Sequence, residues 1–143
     1  MPASATNAAL LDAWLQVTAQ SYPAETARHL LEERDQFRNP VGHAMREALP
    51  ALLDVVLGRI PAADAAAPLE RLMRIRAVQD LSPGQAIGFV FQLNPLLREW
   101  GVKDQALEDR VNGLVLTAFD LYVNCREQAH AIQLKELRRR VKV

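Results

Sequence analysis

The stretch LEDRVNGLVLTAFDLYVNC, residues 107–125, decides the fold. Leu107, Val111, Leu114, Val115, Leu116, Phe119, Leu121, Tyr122 and Val123 occupy almost the whole circumference of a helix. That is the pattern of a helix buried in the middle of a domain. The periodicity runs from about Lys103 to near the C-terminus, narrowing to Ile132, Leu134, Leu137 and Val141 among charged residues. Positions 107, 111, 114, 118, 121, 125, 128 and 132 step by four and three, the spacing of a helix-packing seam.

Working outward, the same periodicity governs the rest of the chain. A helix is expected over Asn7–Gln20, with Leu11, Trp14, Leu15 and Thr18 on one side. Pro23 suits the first turn of a second helix, which carries Ala27, Leu30 and Leu31 and stops before Asn39-Pro40. A third is expected over Val41–Leu57, with Met45, Leu49, Leu52, Leu53 and Val56 on one face. Pro50 should kink or divide it, and Gly58 should end it. Pro61–Pro68 reads as a connection able to hold one helical turn, followed by a helix over Leu69–Val78. Asp80-Leu-Ser-Pro-Gly-Gln85 is the clearest boundary: Ser82 as N-cap, Pro83 as first helical residue and Gln85 as capping-box partner. The helix it opens should bend at Pro95 and end at Gly101. No strand-like alternation occurs. The fold expected is all-α, a single domain over residues 1–143 forming a helical bundle with a long C-terminal helix. A globin arrangement and another helical bundle both fit this pattern.

The 143 residues suffice for one core, and 50% apolar with 24% charged residues is ordinary for a globular chain. A formal net charge of zero gives no global argument for nucleic acid. Cys125 is the lone cysteine, which suits a reducing compartment. Without a signal peptide or an apolar run of membrane-spanning length, a cytoplasmic, membrane-free protein is expected.

Chemical signatures are sparse. His29, His43 and His130 belong to no metal-binding spacing, so no metal and no cofactor is expected. The carboxylates look like solvated helix faces, and neither a phosphate loop nor a nucleophile elbow is present, so no catalytic residue is assigned and the chain is read as a non-enzyme. Arg71 and Arg74 share one helix side, read as a solvated face or as an anion-holding pair. Residues 126–143 hold six basic residues against Glu127 and Glu136. That basic end suits a helix C-terminus, and without an aromatic residue to stack on bases it is read as a partner-docking element rather than a nucleic-acid site.

Three stretches in order carry a resemblance: Phe37-Arg-Asn-Pro-Val-Gly-His43, Ile75-Arg-Ala-Val-Gln-Asp-Leu-Ser-Pro-Gly-Gln-Ala-Ile-Gly-Phe-Val-Phe91, and Ala118-Phe-Asp-Leu-Tyr-Val-Asn-Cys-Arg-Glu127. Together they resemble the N-terminal domain of RsbRD-type RsbT co-antagonist proteins, over about the whole chain. The resemblance implies a helical sensory or regulatory domain of bacterial signalling. In the related RsbR proteins that position is held by a globin-like, non-haem, dimeric domain. Stressosome members also carry a C-terminal STAS domain that engages the RsbT kinase. This sequence ends at Val143, so RsbT binding is not carried over, and a stand-alone input domain acting on a separate protein is expected.

The leading expectation is therefore a regulatory module that binds a protein partner as a homodimer. Leu121, Cys125, Gln128 and Ile132 are the seam candidates, with Arg138, Arg139 and Arg140 as docking candidates. The alternative is a small-molecule or haem sensor with an apolar pocket, lined by Met45, Phe89, Phe91 and Phe119, with His43 as axial ligand.

Overall fold

The computed structural model describes residues 3–79 and 81–141, with side chains from Asn7 onward. Met1 and Pro2 of the N-terminus, Asp80 of the boundary motif, and Lys142 and Val143 of the basic end lie outside the described residues. The elements in order are α1 (Ala3–Ala19), α2 (Ala24–Glu32), α3 (Pro40–Val56), a 3₁₀ turn (Ala62–Ala65), α4 (Ala66–Val78), α5 (Pro83–Phe91), α6 (Leu93–Glu99) and α7 (Gln105–Val141). No strand occurs among the described residues. The all-α bundle with a long C-terminal helix follows the hydrophobic periodicity closely.

Local chemistry sets most of the boundaries. Ser82 accepts from the Gln85 backbone N–H while the Gln85 side chain accepts from the Ser82 N–H, closing the expected capping box of α5. Gly58 and Gly101 end α3 and α6 at φ +76 and +78, a conformation that costs a glycine little. The two internal prolines act differently, and of the alternatives for Pro50 the division into two helices does not occur. Pro50 lies inside an undivided α3, where Leu49, Leu52 and Leu53 are all buried and hold both halves against the core. The irregularity expected from Pro95 takes the form of an interruption at Gln92, between α5 and α6. Pro95 has no N–H to offer the Phe91 carbonyl four residues earlier, so the helix stops at Phe91.

Buried residues from all seven helices join one hydrophobic cluster. Its central pairing sets α7 against α4 and α5, with α3 behind α4 and α1 laid across α3, α5 and α6. Val111, Leu114, Ala118 and Tyr122 of α7 meet a layer built from Leu69, Leu72, Met73 and Ala77 of α4. Removing one such leucine from water is worth about 1.5–3 kcal/mol. The expectation that residues 107–125 are buried all round is not met. Leu116 is 68% and Phe119 43% exposed, so α7 is an outer helix with a solvent face.

Two polar features hold the bundle in register. Asn39 is 2% exposed and clamps α2 to α3. Its Oδ1 accepts from the Gly42 N–H as the N-cap of α3, while its Nδ2 donates to the carbonyls of Leu30 and Glu33, at 2.9 and 3.0 Å. Those carbonyls are the orphans at the end of α2. Arg46 supports them, donating to Leu30 and Leu31. The second feature is Arg76, which has no exposed surface. Its guanidinium lies 5.0 Å from the Phe89 ring centroid and 5.5 Å from that of Tyr22. Nη1 donates to the Gln85 and Ala86 carbonyls, while Nε and Nη2 have no hydrogen-bond partner among the described residues. Burial pushes its pKa down from the ordinary arginine value, with Tyr22 opposing.

Two stability outcomes follow. A Cβ at Gly42 would stand 2.7 Å from the Leu30 carbonyl oxygen, so Gly42→Ala should lose about 1–3 kcal/mol in urea unfolding. An unchanged midpoint would show that the α2–α3 joint relaxes freely. Arg76→Met keeps the length and removes an unpaired buried charge, so it should be neutral or gain up to about 4 kcal/mol. A loss above about 2 kcal/mol would mean that the carbonyl bonds and ring contacts outweigh the desolvation they offset.

Candidate functional site

Of the three stretches that carry the family resemblance, 75–91 and 118–127 line one open cleft, between Ser82, Pro83 and Gln85 on one side and Tyr122, Arg126 and Glu127 on the other, while 37–43 has no part in it; each of the three builds a joint. Residues 37–43 contain Asn39, Pro40 and Gly42, the α2–α3 clamp. Residues 75–91 contain Arg76 and the capping box, and their Phe89 carbonyl accepts from the Trp14 indole N–H at 2.7 Å. Because α5 stops at Phe91, that carbonyl lies in the final turn and is open to a side-chain donor. The Trp14 and Phe89 rings stack at 6.2 Å. Residues 118–127 contain Tyr122, whose hydroxyl donates to the Leu81 carbonyl, and Arg126, which donates to the Ala77 carbonyl at 2.9 Å. Together they fasten α7 to the corner between α4 and α5.

Beyond that corner the end of α7 has no neighbour among the described residues. Every residue from His130 to Val141 is exposed, a projection of about 17 Å at 1.5 Å per residue. It carries Ile132, Leu134, Leu137 and Val141 at 61, 50, 56 and 85% exposure, beside Arg138, Arg139 and Arg140. Such an arm presents apolar and cationic groups together and is suited to a protein surface.

The seam candidates divide between two environments. Cys125 is buried within the chain and Leu121 packs half-buried on the core, whereas Gln128 and Ile132 stand in solvent. The pocket candidates are also scattered. Met45 and Phe89 are core residues, while Phe91 and Phe119 are exposed. His43 sits at the surface, its Nε2 3.0 Å from Glu47 Oε1. Arg71 pairs with the same Glu47, and Arg74 with Glu70, so both arginines hold carboxylates of this chain. Among the described residues no group of three or more His, Cys, Asp and Glu is arranged to hold a metal, and no helix is long and apolar enough to cross a membrane.

The features that sequence reasoning missed are the buried Arg76 and the double role of Asn39. The Asn39 cap on Gly42 is local and Asn39-Pro40 is its signal, but its bonds back to Leu30 and Glu33, and the contacts of Arg76 with Gln85, Ala86 and the Tyr22 and Phe89 rings, have no local signature. For Arg110, whose Nε donates to the Val56 carbonyl at 2.7 Å, the partner is 54 residues away.

Cys125 gives a direct chemical readout of this arrangement. Burial pushes its thiol above the ordinary value of 9.0, with Arg74 opposing. A thiol whose folded pKa is raised contributes stability that is complete below the unfolded value and is lost as pH rises through the folded one. The natural chain should therefore lose stability relative to Cys125→Ala as the pH is taken above 9.0. At pH 8 the folded thiol should resist iodoacetamide and react once urea is added. Rapid alkylation of the folded chain would show that the α4–α7 contact opens.

No curated protein and no solved structure matches this chain. A family model does match, that of the RsbT co-antagonist protein rsbRD N-terminal domain, over residues 8–137. The match takes in all three joints and most of the projecting arm, and on this evidence the chain belongs to the RsbRD N-terminal domain family.

Proposed function

We propose that this chain is a non-catalytic regulatory module of bacterial signalling that acts on a separate protein through the projecting half of α7. The observation that supports this reading is the arm itself. Isolated helices of this length are marginal in water, yet His130–Val141 continues as helix with no packing among the described residues and with four large apolar side chains in solvent. A partner surface on one side of the arm would bury Ile132 and meet the arginines. The family description, an RsbT co-antagonist protein, is consistent with a domain whose work is regulation of other proteins.

On the side of the arm that continues the core face stand Gln128, Ile132 and Arg139, with Arg138 and Arg140 flanking them. These are the residues assigned to partner docking. They contact nothing that folding requires, so their replacement should spare the bundle.

Affinity capture of the tagged chain from native lysate, with bound proteins identified by mass spectrometry, tests this. A stoichiometric partner should be recovered and should be lost from Ile132→Glu, Arg139→Glu and Arg140→Glu combined, with helix content by circular dichroism unchanged. A partner retained by that variant places docking elsewhere, and recovery of the chain alone removes the support for an adaptor.

A further inference from the structure

Arg76 is buried with a positive charge that an arginine cannot shed. Such a charge is stable only where something offsets it. No carboxylate among the described residues pairs with it. The Gln85 and Ala86 carbonyls take Nη1, at 3.2 and 3.3 Å. Tyr22 and Phe89 set their rings against the guanidinium. Nε and Nη2 are left over.

Those two nitrogens form one edge of the group. Nη1 lies on the side of Cδ, so Nε and Nη2 share the opposite edge of the guanidinium plane and direct their N–H bonds side by side. That edge receives the two oxygens of a carboxylate as a bidentate pair. We propose that Arg76 is the receptor for a small monocarboxylate, held on its Nε–Nη2 edge beside the rings of Tyr22 and Phe89.

Charge and enclosure select this class. One guanidinium neutralises one negative charge, so a singly charged, planar acid balances the site, whereas a phosphate dianion would bury a second charge unpaired. Arg76 has no exposed surface, which admits a free small molecule and shuts out a carboxylate fixed to a protein backbone. A groove of about 460 Å³ runs past the site between α1 and α5, with Thr18 and Ser21 on one wall and Gln85, Gly88 and Phe89 on the other. Gln85 and Phe89 therefore line the groove and touch Arg76 at once. Tyr22 is the cover. It is half-buried, and its hydroxyl is held at 2.6 Å by the exposed Gln79 side chain. A ligand enters as Tyr22 turns outward, which breaks one surface hydrogen bond.

Trp14 reports on the site, because its ring stacks on Phe89. In the full chain, Trp100→Phe leaves Trp14 as the single tryptophan. Sodium acetate, titrated against sodium chloride at constant ionic strength, should change its fluorescence saturably, in the millimolar range expected of so small a ligand. Inorganic phosphate should give no saturable change. In heteronuclear NMR spectra the Arg76 Nε–H, identified by its loss in Arg76→Lys, should shift with the same midpoint. Arg76→Lys keeps the charge but loses the fork, so acetate should bind about tenfold more weakly. Arg76→Met should abolish the response. Should either variant fail to fold, the natural chain decides: its thermal midpoint should rise with acetate over chloride and level off as the site fills, whereas a general salt effect keeps growing. No saturable response to acetate, an Arg76 Nε–H that does not move, or an Arg76→Met response equal to that of the natural chain overturns the inference. Partner capture through Ile132 and Arg139 is read without acetate and without Arg76, so the two readings fail separately.

Discussion

The bundle depends on α7 closing the open ends of the helices it covers. A helix end leaves carbonyls without partners, and burying them unpaired is costly. Arg110 donates to Val56 in the last turn of α3, Tyr122 to Leu81 between α4 and α5, and Arg126 to Ala77 in the last turn of α4. These three side chains interrupt or border an apolar face that would otherwise slide along α4. Val111, Leu114, Ala118 and Tyr122 supply the area, while the polar bonds supply the register. Ala118, with no exposed surface, keeps the helices close enough for those bonds to form.

The same logic governs the smaller joints. Asn39 satisfies the end of α2 and the start of α3 with one side chain, which leaves no room for a Cβ on Gly42. Trp14 takes a carbonyl in the last turn of α5. Arg76 is the exception, because its Nε and Nη2 gain no bond in return for burial. Its compensation is the pair of faces of Tyr22 and Phe89, attractive to a cation but weaker than a carboxylate would be. It ties α4 to α5 and to the residues just after α1, at a cost that an apolar side chain of similar shape would avoid.

The sequence was legible where structure is local. The Ser82–Gln85 capping box, Gly58 and Gly101 as stops, and the apolar faces of α3 and α4 need only spacing and capping chemistry. What spacing cannot say is which neighbour an apolar face meets. The seam at 107, 111, 114, 118, 121 and 125 is real, but α4 and α5 of the same chain occupy it, leaving only Gln128 and Ile132 open. The outer face was hidden for the same reason: Leu116, Phe119 and Val123 merged with the core residues into a helix that looked apolar all round. Arg76, grouped by its sequence with Arg71 and Arg74 on a solvated face, is instead buried, because only the tertiary fold brings two rings to it. The family resemblance was legible too, yet its three stretches mark joints of the scaffold, and only the fold brings the second and third together along one cleft.

What makes α7 useful beyond the core is its continuity. No glycine or proline occurs from residue 114 onward, so nothing in the covalent chain favours a hinge. The arm is rich in Ala, Gln, Glu, Leu, Lys and Arg, the strong helix formers, and its terminal arginines oppose the negative end of the helix dipole. Tyr122 and Arg126 fasten α7 to the α4–α5 corner at the point where the arm leaves the bundle. A change in packing around Arg76, which joins that corner to the residues after α1, therefore has a mechanical route to the exposed faces of the arm.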